Sequence, residues 1–161
     1  MLAQGMPAPD FTLANHEDVD TSLAALLEHG PLVLYFYPAD FTPVCTAEAC
    51  TFRDLFTKDD AEIERAGLTL AGVSAQSPES HRKFRERFKL PFPLLSDPSK
   101  SVIKAYEAMM PFGLGTRRVT YLIGQDRQIA DAVESNLGVG KHKAFVTKAI
   151  ELARDKATPA G

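Results

Sequence analysis

Two apolar runs, LVLYFY at 32–37 and LTLAGVS at 68–74, constrain this chain more than any other feature. Each is short, continuous and rich in β-branched, aliphatic or aromatic side chains, which is the pattern of a buried strand. Between them CTAEACTFRDLF carries apolar residues at helical spacing. Two strands of one sheet joined by a helix are expected to run parallel, because the crossover carries the chain back to its starting end. A βαβ unit therefore stands at the centre of the fold.

The flanking segments fill in the rest. FTLANHEDVDTSL (11–23) alternates around a polar turn and predicts a short hairpin. TSLAALLEHG predicts a short helix capped by Thr21 or Ser22 and stopped by Gly30. PESHRKFRERFKL (78–90) predicts a helix with Phe84 and Phe88 on one side, FPLLSD a short strand, and KSVIKAYEA another helix. VTYLI (119–123), the turn GQDR and QIADAVES (128–135) read as a second hairpin. KHKAFVTKAIELARDK (141–156) closes the chain as an amphipathic helix, with KATPAG expected to fray. The helix that opens near Pro43 is expected to bend or restart near Lys58–Asp60. No repeat, low-complexity tract or linker divides the sequence, so residues 1–161 are expected to form one domain. The sum is an α/β thioredoxin-like fold, a mixed central sheet with helices on both faces.

Composition narrows the function. Of 161 residues 45% are hydrophobic and 24% charged, and the formal net charge is -3 with no long basic block. That argues against nucleic acid or an anionic membrane as partner. The apolar runs are too short to span a bilayer. The N-terminal MLAQGMPAPDF has no charged and no apolar leader region, which predicts a cytoplasmic address. In that compartment the chain's two cysteines are expected to be buried thiols, metal ligands or redox groups rather than a structural disulfide.

Both cysteines lie in TPVCTAEAC. A residue before proline is pushed to extended geometry, and proline is favoured at the first helical position. Thr42 is thus the expected N-cap, Pro43 the first helical residue and Cys45 the third. Unpaired N–H groups and the positive end of the helix dipole favour an anion there, which predicts a nucleophilic thiolate. Cys45 also falls on one stripe with Ala49, Phe52 and Phe56, so a core thiol is an equally open reading.

Cys50 stands five residues further on. On an intact helix the two α-carbons lie about 8.7 Å apart. A disulfide tolerates roughly 4.4–6.8 Å. The pair can join only if the first turns unwind. Thr42, Pro43, Thr46 and Thr51 are weak or terminal helix residues and resist that little. An incidental thiol is the other reading of Cys50. A metal site is not expected, since two thiols are half a tetrahedral set and His16, His29, His81 and His142 show no ligand spacing. Of Arg117 and Arg118, adjacent residues before VTYLI, only one can face the sulfur. Two solvated charges remain the alternative.

These motifs together resemble the peroxiredoxins, of the bacterioferritin comigratory protein or peroxiredoxin Q type. The P-x-x-x-T-x-x-C motif stands as Pro38, Thr42 and Cys45 in YPADFTPVC, and CTAEAC matches the subclass whose resolving cysteine follows five residues later. GMPAPDFTL, GVSAQSPESHRKFRERFKLPFPLLSDPSKSVIKAY and RVTYLI match further segments, so the resemblance covers nearly the whole chain. It implies a thioredoxin-dependent thiol peroxidase acting on hydrogen peroxide and organic hydroperoxides. Cys45 would attack the peroxide. Thr42 would bond sulfur and substrate, Pro38 would shield the pocket, and Arg118 would stabilise the thiolate and the breaking O–O bond. Glu48 would orient that arginine. Cys50 would condense with the sulfenic acid of Cys45 as an intramolecular disulfide. No cofactor or metal is implied, and a monomer is expected. Met109, Met110, Phe112 and Leu114 either form an apolar rim suited to alkyl or lipid hydroperoxides or simply pack. Two other classes compete. A dithiol carrier usually shows C-x-x-C, which is absent, and a non-catalytic module would leave Cys45 unreactive.

Overall fold

A computed structural model describes residues 1–58, 67–136 and 138–157. The strands are β1 (Thr12–Asn15), β2 (Asp20–Ser22), β3 (Leu32–Phe36), β4 (Thr69–Ser74), β5 (Leu94–Ser96), β6 (Val119–Ile123) and β7 (Ile129–Glu134). The helices are α1 (Leu23–Leu26), α2 (Pro43–Lys58), α3 (Pro78–Phe88), α4 (Ser101–Ala105) and α5 (Gly140–Ala157). The seven strands form one sheet in the order β2-β1-β5-β4-β3-β6-β7. β3 pairs in parallel with β4, as does β4 with β5. β6 lies antiparallel to both β3 and β7, and β1 antiparallel to β2 and β5. The mixed sheet, the two hairpins and the parallel βαβ unit agree with the sequence reading.

Every residue of β3 is buried, so its side chains alternate between two cores. Leu32, Leu34 and Phe36 join Leu23, Leu26, Ile103 and Tyr106 on the face covered by α1 and α4. Val33 and Tyr35 join Cys45, Ala49 and Phe52 of α2, Phe84 of α3, and Val146, Ala149 and Ile150 of α5 on the other. Aromatic side chains dominate this second core. Tyr35 stacks on Tyr37 and meets Phe52 and Phe92 edge-on. Gly72 of β4 lies opposite Tyr35, and a methyl group there would come within 2.8 Å of the ring.

Local signals place most boundaries. Ser22 caps α1, its hydroxyl oxygen accepting from the Ala25 N–H at 3.1 Å. Ser77 caps α3 in the same way ahead of Pro78, and α3 ends where Lys89 turns left-handed at φ 52°. The first helix is shorter than its sequence pattern: it is a single turn ending before Leu27, not at Gly30. Helices this short form only because packing of Leu23 and Leu26 holds them. The bend expected near Lys58–Asp60 falls outside the described residues except for Lys58, which ends α2; of KATPAG, expected to fray, Lys156 and Ala157 instead belong to the last helix, and the remaining four residues lie outside the described ones. The β1–β5 pairing and the short 3₁₀ turn Pro111–Gly113 carry no sequence signal. No helix among the described residues is long and apolar enough to cross a membrane.

This topology fixes where chemistry can happen. β3 and β6 are antiparallel with Phe36 opposite Val119. The end of β3 and the start of β6 therefore meet at one end of the sheet. The chain leaves β3 there through Tyr37–Phe41 and enters α2.

Candidate active site

The Thr42 carbonyl accepts the Thr46 N–H at 2.8 Å, the first bond of α2. Thr42 is thus the N-cap and Cys45 the third helical residue, as the Thr-Pro pair predicts. The N–H groups of Val44 and Cys45 have no carbonyl one turn back to bond. Cys45 is 1% exposed and packs with Ala49 and Phe52, with Phe56 partly buried against the same cluster. The core-thiol reading is met in full.

The same sulfur also receives a cation. Arg118 Nη1 donates to Cys45 Sγ at 3.3 Å and to Glu48 Oε1 at 3.2 Å. Strand alternation selects Arg118 over Arg117. Thr120 and Leu122 face α2 and α5, whereas Val119, Tyr121 and Ile123 face the opposite core. Arg118 continues the first set. Arg117 points the other way and pairs with Glu134 at 3.7 Å, one-third exposed. Arg118 itself is 4% exposed, and its backbone N–H donates to Asn136 Oδ1.

Glu48 is completely buried beneath this pair. Burial pushes its carboxyl up to about 7 from 4.5, against the opposing pull of Arg118. His142 lies on its far side, with Nδ1 3.7 Å from Glu48 Oε2. Burial lowers the basicity of His142, so the neutral ring is favoured. His142 Nε2 faces the Ser135 carbonyl at 3.0 Å and must donate. Nδ1 then accepts from Thr120 Oγ1 at 2.8 Å. Glu48 Oε2 is left without a hydrogen bond. A buried oxygen with no donor favours the protonated carboxyl, consistent with its raised value.

The other expected residues sit at the same end. Thr42 is half-buried, and its hydroxyl donates to the Ala39 carbonyl at 3.0 Å rather than to Cys45. Pro38 is exposed, just past the end of β3. Cys45 and Cys50 are both free; Cys50 is half-buried on the unbroken α2. The apolar rim does not gather at the sulfur. Met109, Met110 and Phe112 border a hollow with Met1, Lys104, Glu107, Gly113 and Arg117, and neither Cys45 nor Thr42 lines it. Phe112 is 97% and Leu114 77% exposed. Among the described residues no group of three His, Cys, Asp or Glu side chains comes together to hold a metal.

Sequence reasoning missed two buried networks. One is His142 with Thr120 behind Glu48. The other joins Tyr37, Asp40 and His81 behind the loop that leads into α2. Asp40 stands inside the YPADFT motif, which was a signal that the loop carries an internal polar anchor. His81 gave none beyond its place on the buried side of α3.

Known proteins resemble this chain in sequence and in fold. A model of the AhpC/TSA family matches residues 4–132. A chloroplastic peroxiredoxin Q of Sedum lineare is 37% identical over 142 residues, 88% of this chain and 74% of that protein. The peroxidoxin BcpB of Mycobacterium tuberculosis superposes with a TM-score of 0.83 at 32% identity, over 96% of this chain and 98% of its own. The bacterioferritin comigratory protein of Xanthomonas campestris gives 0.80 at 30% identity, covering 94% and 99%. The chain belongs to the AhpC/TSA family and is a peroxiredoxin of the peroxiredoxin Q and bacterioferritin comigratory type, a thiol peroxidase.

Proposed function

We propose that Cys45 is the attacking thiol of this peroxidase and Cys50 its resolving thiol. The observation that carries this reading is the Arg118 contact to Cys45 Sγ at 3.3 Å inside the first turn of α2. A buried cation and a helix N-terminus both stabilise the negative charge that a reacting sulfur and a leaving oxygen carry.

The thiolate attacks the terminal peroxide oxygen. An S–O bond forms as the O–O bond breaks, and the leaving oxygen takes up a proton to depart as alcohol or water. Sulfur is oxidised by two electrons and the peroxide reduced by two. Cys50 then attacks the sulfenic sulfur, an S–S bond forms and water leaves. Thioredoxin or a similar dithiol reductant takes over the disulfide by exchange and restores both thiols. Arg118 holds the charge on sulfur and oxygen, Glu48 orients Arg118, Thr42 contacts substrate and Pro38 limits water. Both thiols lie on one chain, which supports catalysis by a monomer. The Xanthomonas campestris relative is described as reducing alkyl peroxides, which supports organic hydroperoxides as substrates beside hydrogen peroxide.

The test uses Cys50→Ser with one equivalent of hydrogen peroxide and a sulfenic-acid trap such as dimedone. Mass spectrometry is expected to find the adduct on Cys45. Peroxide consumed with Cys45 left unmodified would overturn the assignment.

A further inference from the structure

The loop from Tyr37 to Thr42 links the central strand to the first turn of α2, and a buried polar cluster grips it from behind. Asp40 and His81 side chains are both fully buried, with Asp40 Oδ2 2.7 Å from His81 Nδ1. Tyr37 Oη donates to Asp40 Oδ1 at 2.6 Å, and Ser80 Oγ donates to Asp40 Oδ2 at 2.8 Å. The Asp40 backbone N–H donates to Gln76 Oε1. His81 Nε2 faces the Leu95 carbonyl at 3.0 Å, so that nitrogen carries a proton. His81 Nδ1 and Asp40 Oδ2 then share one hydrogen bond. Burial holds the Tyr37 phenol well above its usual range, so it keeps the proton it donates.

This cluster is costly to assemble. Burying polar side chains away from water is repaid only when their lone pairs and N–H and O–H groups are satisfied. Here the Asp40 carboxylate is met by Tyr37 just past the end of β3 and by Ser80 and His81 on α3, and its backbone N–H is taken up by Gln76 after β4. His81 in turn ties α3 to β5. The next residue in the chain shows what the grip imposes. Phe41 sits in the left-handed region at φ 64°. A bulky residue is strained there and stays only where its surroundings over-determine it. Phe41 packs edge-on against Phe84 of α3, with ring centroids 5.1 Å apart. Thr42 and Pro43 follow immediately.

We propose that Asp40 and His81 are positioning residues for peroxide reduction: they pin the loop carrying Pro38 and Thr42 to α3 and β5, and so fix it relative to Cys45. Neither touches the sulfur. They act through the loop, whose placement decides how a peroxide is held for in-line attack. A misplacement of about 1 Å can cost on the order of 10²-fold in rate. This inference rests on the reading of Cys45 as the attacking thiol.

The experiment compares two reactions of Cys45 in a Cys50→Ser background, where it is the one remaining cysteine. Hydrogen peroxide needs the loop in place; iodoacetamide needs only an accessible thiolate. Stopped-flow oxidation and alkylation are measured for Asp40→Asn, His81→Leu and His81→Asn. Asp40→Asn and His81→Leu are expected to slow oxidation by about tenfold or more, with alkylation within about threefold of the parent. His81→Asn, whose side-chain amide can replace Nδ1 as donor to Asp40, is expected to recover much of the oxidation rate. Equal loss in both reactions, or no loss in either, overturns the proposal. If the stronger variants fail to fold, Tyr37→Phe and Ser80→Ala each remove one donor to Asp40 and decide on the same ratio. Cys45→Ser runs in parallel. Peroxide consumption by that variant sinks the assignment of Cys45, whereas a dead Cys45→Ser with an unimpaired Asp40→Asn sinks only the positioning role.

Discussion

Arg118 reaches across 73 positions of sequence to donate to the sulfur of Cys45 at 3.3 Å. The sheet makes this possible, because β3 and β6 are antiparallel neighbours that bring their end and start together. The same nitrogen donates to Glu48 Oε1 at 3.2 Å. One buried cation thus serves a thiol and a carboxyl on one helix.

The arginine pair offers a direct test of that geometry. Arg118→Ala removes the only cation beside the sulfur among the described residues. It is expected to slow the first oxidation step by about 10²-fold or more, the scale of losing one preorganised donor. Arg117→Ala removes a partly exposed pair with Glu134 and is expected to change the rate by no more than about twofold. Single-turnover oxidation with hydrogen peroxide measures both. Equal effects would mean that the strand register at 117–118 is misread.

Glu48 makes stability depend on pH. Its carboxyl is raised by burial from 4.5 to about 7 in the folded protein. Between those values the folded state holds a proton that the unfolded chain has released. Stability therefore falls as pH rises from about 4.5 to about 7, by about 1.4 kcal/mol per unit of upward shift. Urea midpoints of the reduced protein at pH 5 and pH 7.5 report this slope. Glu48→Gln is expected to flatten it; an unchanged slope in that variant would place the proton elsewhere.

Gly72 is required by the ring it faces. Gly72→Ala places a methyl 2.8 Å from Tyr35 Cζ, and Tyr35 is held by Tyr37, Phe52 and Phe92. The ring can yield only by displacing one of these neighbours. The substitution is expected to cost about 1–3 kcal/mol in urea unfolding. A midpoint equal to the parent's would show that the second core yields more than its packing indicates.

Cys50→Ser separates attack from resolution. It is expected to consume one equivalent of peroxide at the parent rate and then stop turning over with thioredoxin as reductant. Continued turnover at the parent rate would remove Cys50 from the cycle.

Much of this was legible in the sequence because it rests on local rules. The run LVLYFY declares a strand buried on both faces, and Thr42-Pro43 declares a helix start that sets Cys45 in the first turn. Strand alternation allowed only one of Arg117 and Arg118 to face the sulfur, and the resemblance of RVTYLI to the family strand chose Arg118. What stayed hidden depends on tertiary contact. His81 and His142 are single histidines on amphipathic helices, and only the packing of those helices against the sheet shows one on Asp40 and the other behind Glu48. The apolar loop at 109–114 read either as a pocket rim or as ordinary packing, but its backbone course through the 3₁₀ turn leaves Phe112 and Leu114 exposed. Hydrophobicity alone gives no direction.

The central claim is that Cys45 and Cys50 are kept apart by a wound α2 and join when its first turns open. Hydrogen–deuterium exchange over residues 43–51, in reduced protein and in protein oxidised to the Cys45–Cys50 disulfide, tests it most directly. Protection is expected when reduced and rapid exchange when oxidised, with β3 protected in both. A disulfide confirmed by mass spectrometry, with residues 43–51 as protected as before, would contradict it.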